Sequence, residues 1–120
     1  MTETILLVED DESLRRLAQR LLARRGYNVL TAGDGKSAVT ACRDCPSDIH
    51  LLITDVFMPD INGPDLANQL LVIRPAMKVL YVSGSDDVLR DGSLAPSSNF
   101  LQKPYAQDQI GSKIREILDQ

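Results

Sequence analysis

Four apolar runs in this chain stop at side chains that could do chemistry. The "ILLV" of residues 5–8 runs into Glu9, Asp10 and Asp11, and the "LLIT" of 51–54 into Asp55. The "VLYV" of 79–82 meets Ser83 and Gly84, and the "FLQ" of 100–102 meets Lys103 and Pro104. Were these run-ends to meet in space, they would gather carboxylates, a hydroxyl and an ammonium. Clustered carboxylates repel, and one of them holds its proton unless a cation is near. Hard oxygen ligands of this kind suit Mg²⁺. An aspartate beside such an ion can attack phosphorus. Lys103 could then neutralise a transferred phosphoryl group and Ser83 could donate to one of its oxygens.

Each feature has a plainer explanation. Acidic runs such as "EDDE" often open a helix, where they complement its dipole, and Asp11 and Ser13 read as cap residues. Asp55 could start an Asx-turn, and Lys103 could simply be exposed. The coincidence of all four at run-ends favours a site.

The elements that would position them follow from periodicity. "ETILLVEDD" reads as a strand, and "ESLRRLAQRLLARRG" as a helix with Leu14, Leu17, Leu21 and Leu22 at helical spacing, stopped at Gly26. "YNVLTA" is a second strand that ends at Gly33 with nothing reactive. "DGKSAVTACRDC" is a helix punctuated by Pro46, and "IHLLITD" is the third strand, opened by His50 as a surface residue. "GPDLANQLLVIR" is a helix with Leu66, Leu70 and Ile73 on one face, and "MKVLYVSG" is the fourth strand. "SDDVLRDGSLAPSS" allows only a short helix and a loop, because it is rich in breakers. "NFLQKP" and "AQDQIGSKIREILDQ" complete the pattern, with Ile110, Ile114, Ile117 and Leu118 inward. Strands alternate with helices, and they are apolar throughout rather than alternating. Both features predict a parallel sheet covered on both faces, an α/β doubly wound fold. In such sheets ligands bind at the carboxyl ends of the strands, where these four run-ends lie.

Length and composition narrow the classes. The 120 residues suit a single domain over 1–120. A net charge of −4 argues against direct nucleic-acid binding. No apolar run nears the roughly 20 residues of a membrane span, and no secretory leader is visible. A cytoplasmic protein without membrane contact is expected. Cys42 and Cys45 form a C-x-x-C at the C-terminal end of a helix, where the dipole disfavours thiolate, so they read as reduced structural thiols. "GDGKS" (33–37) imitates a P-loop, but the required first glycine is Leu30.

The motifs "ILLVEDDESLRRL", "LLITDVFMPDINGPDL", "VLYVSG" and "FLQKP", in that order, resemble a response-regulator receiver domain over essentially the whole chain. The resemblance implies a five-stranded parallel sheet of flavodoxin-like order 2-1-3-4-5. It implies that Asp55 is the phosphoacceptor, that Glu9 and Asp10 are the acidic pair, and that Asp10, Asp55 and the backbone carbonyl of Phe57 bind Mg²⁺ directly. Glu9 would act largely through water. Ser83 would be the switch hydroxyl, Lys103 the phosphate contact and Phe100 the aromatic switch residue, with a cis Lys103–Pro104 bond. The implied donor is a histidine kinase or a histidine phosphotransfer domain. "YVSG" and "FLQKP" look most like receivers attached to hybrid sensor histidine kinases. The segment from Ser83 to Lys103 looks shorter than usual for the family, so the fourth helix should be short, displaced or mobile. By the same resemblance, the residue two beyond the acceptor faces the water that hydrolyses the phosphate, and here it is Phe57. Two rivals stand beside this reading. One is a binding scaffold that is never phosphorylated. The other is a Mg²⁺-dependent phosphohydrolase, which would carry a second acid where Phe57 stands.

Overall fold

The computed structural model describes residues 2–85 and 87–120. Its elements alternate as the periodicity requires: β1 (Thr4–Val8), α1 (Glu12–Arg24), β2 (Asn28–Ala32), α2 (Gly35–Asp44), β3 (Leu51–Asp55), α3 (Gly63–Ile73), β4 (Lys78–Ser83), α4 (Asp87–Arg90), β5 (Phe100–Gln102) and α5 (Gln107–Leu118). The strands form one parallel sheet in the order β2-β1-β3-β4-β5.

Because side chains alternate along a strand, odd and even positions feed opposite cores. Ile5, Leu7, Leu51 and Ile53 pack with Ala18 and Leu22 of α1 and with Ile110, Ile114 and Ile117 of α5. Leu6, Val8 and Leu52 pack on the other face with Ala38 and Cys42 of α2 and Leu66, Ala67 and Leu70 of α3. The central strands β1 and β3 are buried along their full length. That is why they read as unbroken apolar runs.

The helix ends carry the expected signals. Asp11 caps α1 by accepting from the Leu14 amide at 3.0 Å, and Asn62 caps α3 by accepting from Asp65 at 2.8 Å. Ser13 lies inside α1, exposed, and is not the cap. The short fourth helix is borne out: α4 has 4 residues. Gly92 follows it with a left-handed φ of 86°, which stops the helix and turns the chain. Leu94 then folds back, its amide donating to the Val88 carbonyl at 2.9 Å.

Three expectations need correcting. In α1 the buried side chains are Ala18 and Leu22, whereas Leu14 and Leu17 are 46% and 54% exposed. The helix lies on the sheet through its smaller residues and leaves a leucine stripe outside. Ile73 likewise ends α3 exposed, while Leu66 and Leu70 are buried. His50 is half-buried, and its Nδ1 accepts from the Thr4 amide at 2.9 Å, tying the starts of β1 and β3 together. Both cysteines are free. Cys42 is fully buried in the core, and burial pushes its thiol pKa up, which makes it less reactive.

Candidate phosphoacceptor and metal site

Register brings the acids together. Val8 pairs with Thr54, so the residues that follow, Glu9 and Asp55, stand side by side at the carboxyl edge of the sheet. Ser83 pairs with Gln102, which places Ser83 beside the start of the β5–α5 turn and Lys103. The Lys103 amide closes that corner by donating to the Ser83 carbonyl at 2.8 Å, and the Lys103–Pro104 peptide is cis, as expected. The Gly63 amide donates to the Val56 carbonyl at 2.7 Å. A Cβ on Gly63 would lie 2.4 Å from the Asp55 carbonyl oxygen, so only glycine lets α3 start this close to β3.

Glu9, Asp10 and Asp55 can each offer an oxygen to one point, with these atoms all within 4.8 Å of one another. Glu9 and Asp55 are both buried, and Asp10 is exposed at the rim. Lys103 sits between the buried pair. Its Nζ lies 2.6 Å from Asp55 Oδ1 and also donates to Glu9 Oε1. A pocket of about 210 Å³ opens here, lined by Asp10, Asp55, Phe57, Ser83, Gly84 and Lys103. The structure thus brings together Glu9, Asp10, Asp55 and Lys103, which the sequence had set at strand ends. Phe100 lies apart from it, half-buried against Val56, Val88, Leu94 and Tyr81 on the α4 side.

The electrostatics follow from crowding two carboxyls into a buried corner with one ammonium. Burial raises the Asp55 pKa, and the neighbouring Glu9 raises it further, to about 8 despite Lys103. Burial also pushes Glu9 up, but hydrogen bonds with Asp55 and Lys103 outweigh this and hold it at about 2. The Lys103 ammonium is penalised by burial yet held above its ordinary value by Asp55 and Glu9. The pair thus shares one proton near neutrality. The donor set is all carboxylate oxygen with one member open to water, which suits a hard divalent cation. A cation here would relieve the repulsion that now keeps the proton on.

Ser83 is 8% exposed, and its Oγ accepts from the Ser85 amide at 3.3 Å. Ser85 Oγ in turn accepts from the Asp87 amide at 3.1 Å, at the start of α4. Two features escaped the sequence reading. The exposed Leu14 and Leu17 and the half-buried Leu21 join Pro104 and Tyr105 along a groove of about 480 Å³ that ends at Glu9 and Lys103. Asp60, in the β3–α3 loop, binds the first amides of α2.

Known proteins share this fold. A family model described as the response regulator receiver domain matches residues 5–115. The chain is 32% identical over 118 residues to the sensor kinase CckA of Brucella abortus (strain 2308), covering 97% of this chain and 12% of the kinase. It is 34% identical over 116 residues to the response regulator receiver protein CpdR of the same organism, covering 95% of each. The solved receiver domain of the hybrid histidine kinase CckA superposes with a TM-score of 0.82 at 34% identity, over 96% of this chain and 98% of that one. Sheet order and sequence agree, and the chain belongs to the response regulator receiver domain family.

Proposed function

We propose that Asp55 is the phosphoacceptor of this receiver domain and that Mg²⁺, bound by Asp10, Asp55 and the backbone carbonyl of Phe57 with Glu9 acting largely through water, is required. The supporting observation is the buried Glu9–Asp55 pair bridged by Lys103 at the carboxyl edge of the sheet. The family takes phosphoryl groups from histidine kinases. In the transfer, a carboxylate oxygen of Asp55 bonds to phosphorus as the bond from phosphorus to the donor imidazole nitrogen breaks, leaving the electron pair on nitrogen. Mg²⁺, when bound, supplies positive charge to the clustered carboxylates and to the phosphoryl oxygens. Asp55 must give up its proton before it attacks. Lys103 exchanges a carboxylate for a phosphoryl oxygen, and the Ser83 hydroxyl, whose oxygen accepts from the Ser85 amide, donates its proton to another. The groove of Leu14, Leu17, Leu21, Pro104 and Tyr105 adjoins this corner, and offers an apolar landing for the donor domain. We assign the donor as a histidine kinase or histidine phosphotransfer domain, in the same chain of a hybrid kinase or in another protein.

The test is incubation with acetyl phosphate, followed by intact-mass measurement. One phosphoryl group should appear with Mg²⁺ and none with chelator, and it should be labile to base, as an acyl phosphate is. Labelling that ignores the chelator would remove the metal from the reading. The never-phosphorylated scaffold predicts no labelling at all.

The lifetime of the phosphate gives a second test. Phe57 is 60% exposed and lines the pocket beside Asp55. Its ring has no group to orient an attacking water and enough bulk to obstruct one. Phe57→Asn should therefore speed loss of the phosphoryl group by about tenfold, since water positioning controls such rates. The decay is followed after donor removal with Mg²⁺ present. Decay at the wild-type rate would show that Phe57 does not shield the site.

A further inference from the structure

The 33–37 run that imitates a phosphate loop has its helix end already filled. Asp34 caps α2 by accepting from the Ser37 amide at 2.7 Å. The amides just before it bind Asp60 of the β3–α3 loop. Gly35 donates to Asp60 Oδ2 at 3.0 Å and Oδ1 at 3.2 Å, and Lys36 donates to Oδ2 at 3.4 Å. The positive end of this helix thus holds a carboxylate from the same chain. The approach is tight: a Cβ on Gly35 would lie 2.3 Å from Ile61 Cγ2 and 3.2 Å from Asp60 Oδ2. On the other side of the turn, Arg15 of α1 presses on Gly33, where a Cβ would lie 2.9 Å from Nη1. That same Nη1 donates to the Glu9 carbonyl at 2.9 Å. This turn therefore meets the loop after β3 directly and the loop after β1 through Arg15.

The β3–α3 loop is fixed at its ends by the Val56 amide on the Val82 carbonyl, at 3.0 Å, and by the Gly63 amide on the Val56 carbonyl. Among the described residues, Asp60 makes the hydrogen bonds that tie its middle to a neighbouring element. Phe57 lies three residues before that anchor.

We infer that Asp60 is a positioning residue for the metal site of Glu9, Asp10, Asp55 and the Phe57 carbonyl: bound to the start of α2, it holds the β3–α3 loop, and with it the Phe57 backbone, at the spacing from the acidic pair that the site needs. This rests on the metal reading above. Asp60 is not itself in the carboxylate cluster and acts through the loop.

The test compares wild type, Asp60→Ala, Asp60→Asn and Asp10→Ala, all unphosphorylated, by calorimetric titration with Mg²⁺ and by thermal melting in chelator. Asp60→Ala should weaken Mg²⁺ binding about tenfold, the scale on which supporting groups act at metal sites. Asp60→Asn keeps an acceptor oxygen but loses the charge, and should weaken it about threefold. A lower melting temperature with unchanged Mg²⁺ affinity in Asp60→Ala would make Asp60 a helix cap and nothing more, which overturns the inference. Should Asp60→Ala fail to fold, unchanged affinity in Asp60→Asn overturns it equally. Wild type binding Mg²⁺ no better than Asp10→Ala would remove the metal site itself, and the role of Asp60 with it.

Discussion

Asp55→Asn should take up no phosphoryl group from acetyl phosphate, and without metal it should be more stable than the wild type near neutral pH. The first half follows from removing the nucleophile. The second follows from linkage. Asp55 is raised to about 8 in the fold, so its folded form binds a proton that the unfolded chain has released. The stability attached to that proton is complete below the unfolded carboxyl value of about 4 and is lost as pH climbs through about 8. Glu9, lowered to about 2, has the opposite sign: its contribution is present above its unfolded value and is lost as pH falls toward 2. The rise at Asp55 is the larger of the two. The net penalty on the ionised pair is on the order of 2 kcal/mol. An amide at this position carries no such penalty. Denaturant unfolding in chelator from pH 5 to 8.5 should show the wild type losing stability along the series, with Asp55→Asn nearly flat. Parallel curves for the two proteins would mean that Asp55 is not the group that holds the proton.

Leu52→Ala should cost about 2–5 kcal/mol, because Leu52 is fully buried between β1, β4 and the α2–α3 layer. Mg²⁺ should not change that loss, since a cavity in the core is indifferent to charge at the sheet edge. Lys103→Ala should cost less, and its cost should shrink as Mg²⁺ is added. Removing the ammonium leaves Glu9 and Asp55 without their shared cation. The pair already holds a proton near neutrality, which limits the damage, and an added divalent cation restores the missing charge. Melting with and without Mg²⁺ separates the two variants. Equal losses that ignore Mg²⁺ would make Lys103 a packing residue.

The acids of the site could be read from the sequence because they stand at the ends of β1 and β3, whose burial is complete. Leu51, Leu52 and Ile53 admit one environment only, a sheet covered on both faces, and Asp55 follows at a fixed offset. Register then does the rest, since parallel pairing of Val8 with Thr54 leaves the next residues adjacent. The α1 leucines misled for a related reason. Helical spacing identifies a stripe but cannot say which of two overlapping stripes meets the sheet, and here Ala18 and Leu22 allow the closer approach. Asp60 was invisible because its partners, Gly35 and Lys36, belong to another loop and pair with it only once α2 and α3 are docked side by side. His50 was misplaced similarly: its acceptor role exists only after β1 and β3 pair.

A lever needs length, and α4 has little. Its 4 residues make about one turn, with a rise of roughly 6 Å. Beyond it the chain is held by the Val88–Leu94 backbone bond and by the small cluster of Val56, Val88 and Leu94, on which Phe100 and Tyr81 lean. Such an element has no rigid axis to tilt. If Ser83 is the switch hydroxyl proposed above, a disturbance arriving from it would spread here as a change of fit among a few side chains. A protein reading this side would then sense the relief of a small patch, as a key senses the depth of a notch, and not the angle of a rod.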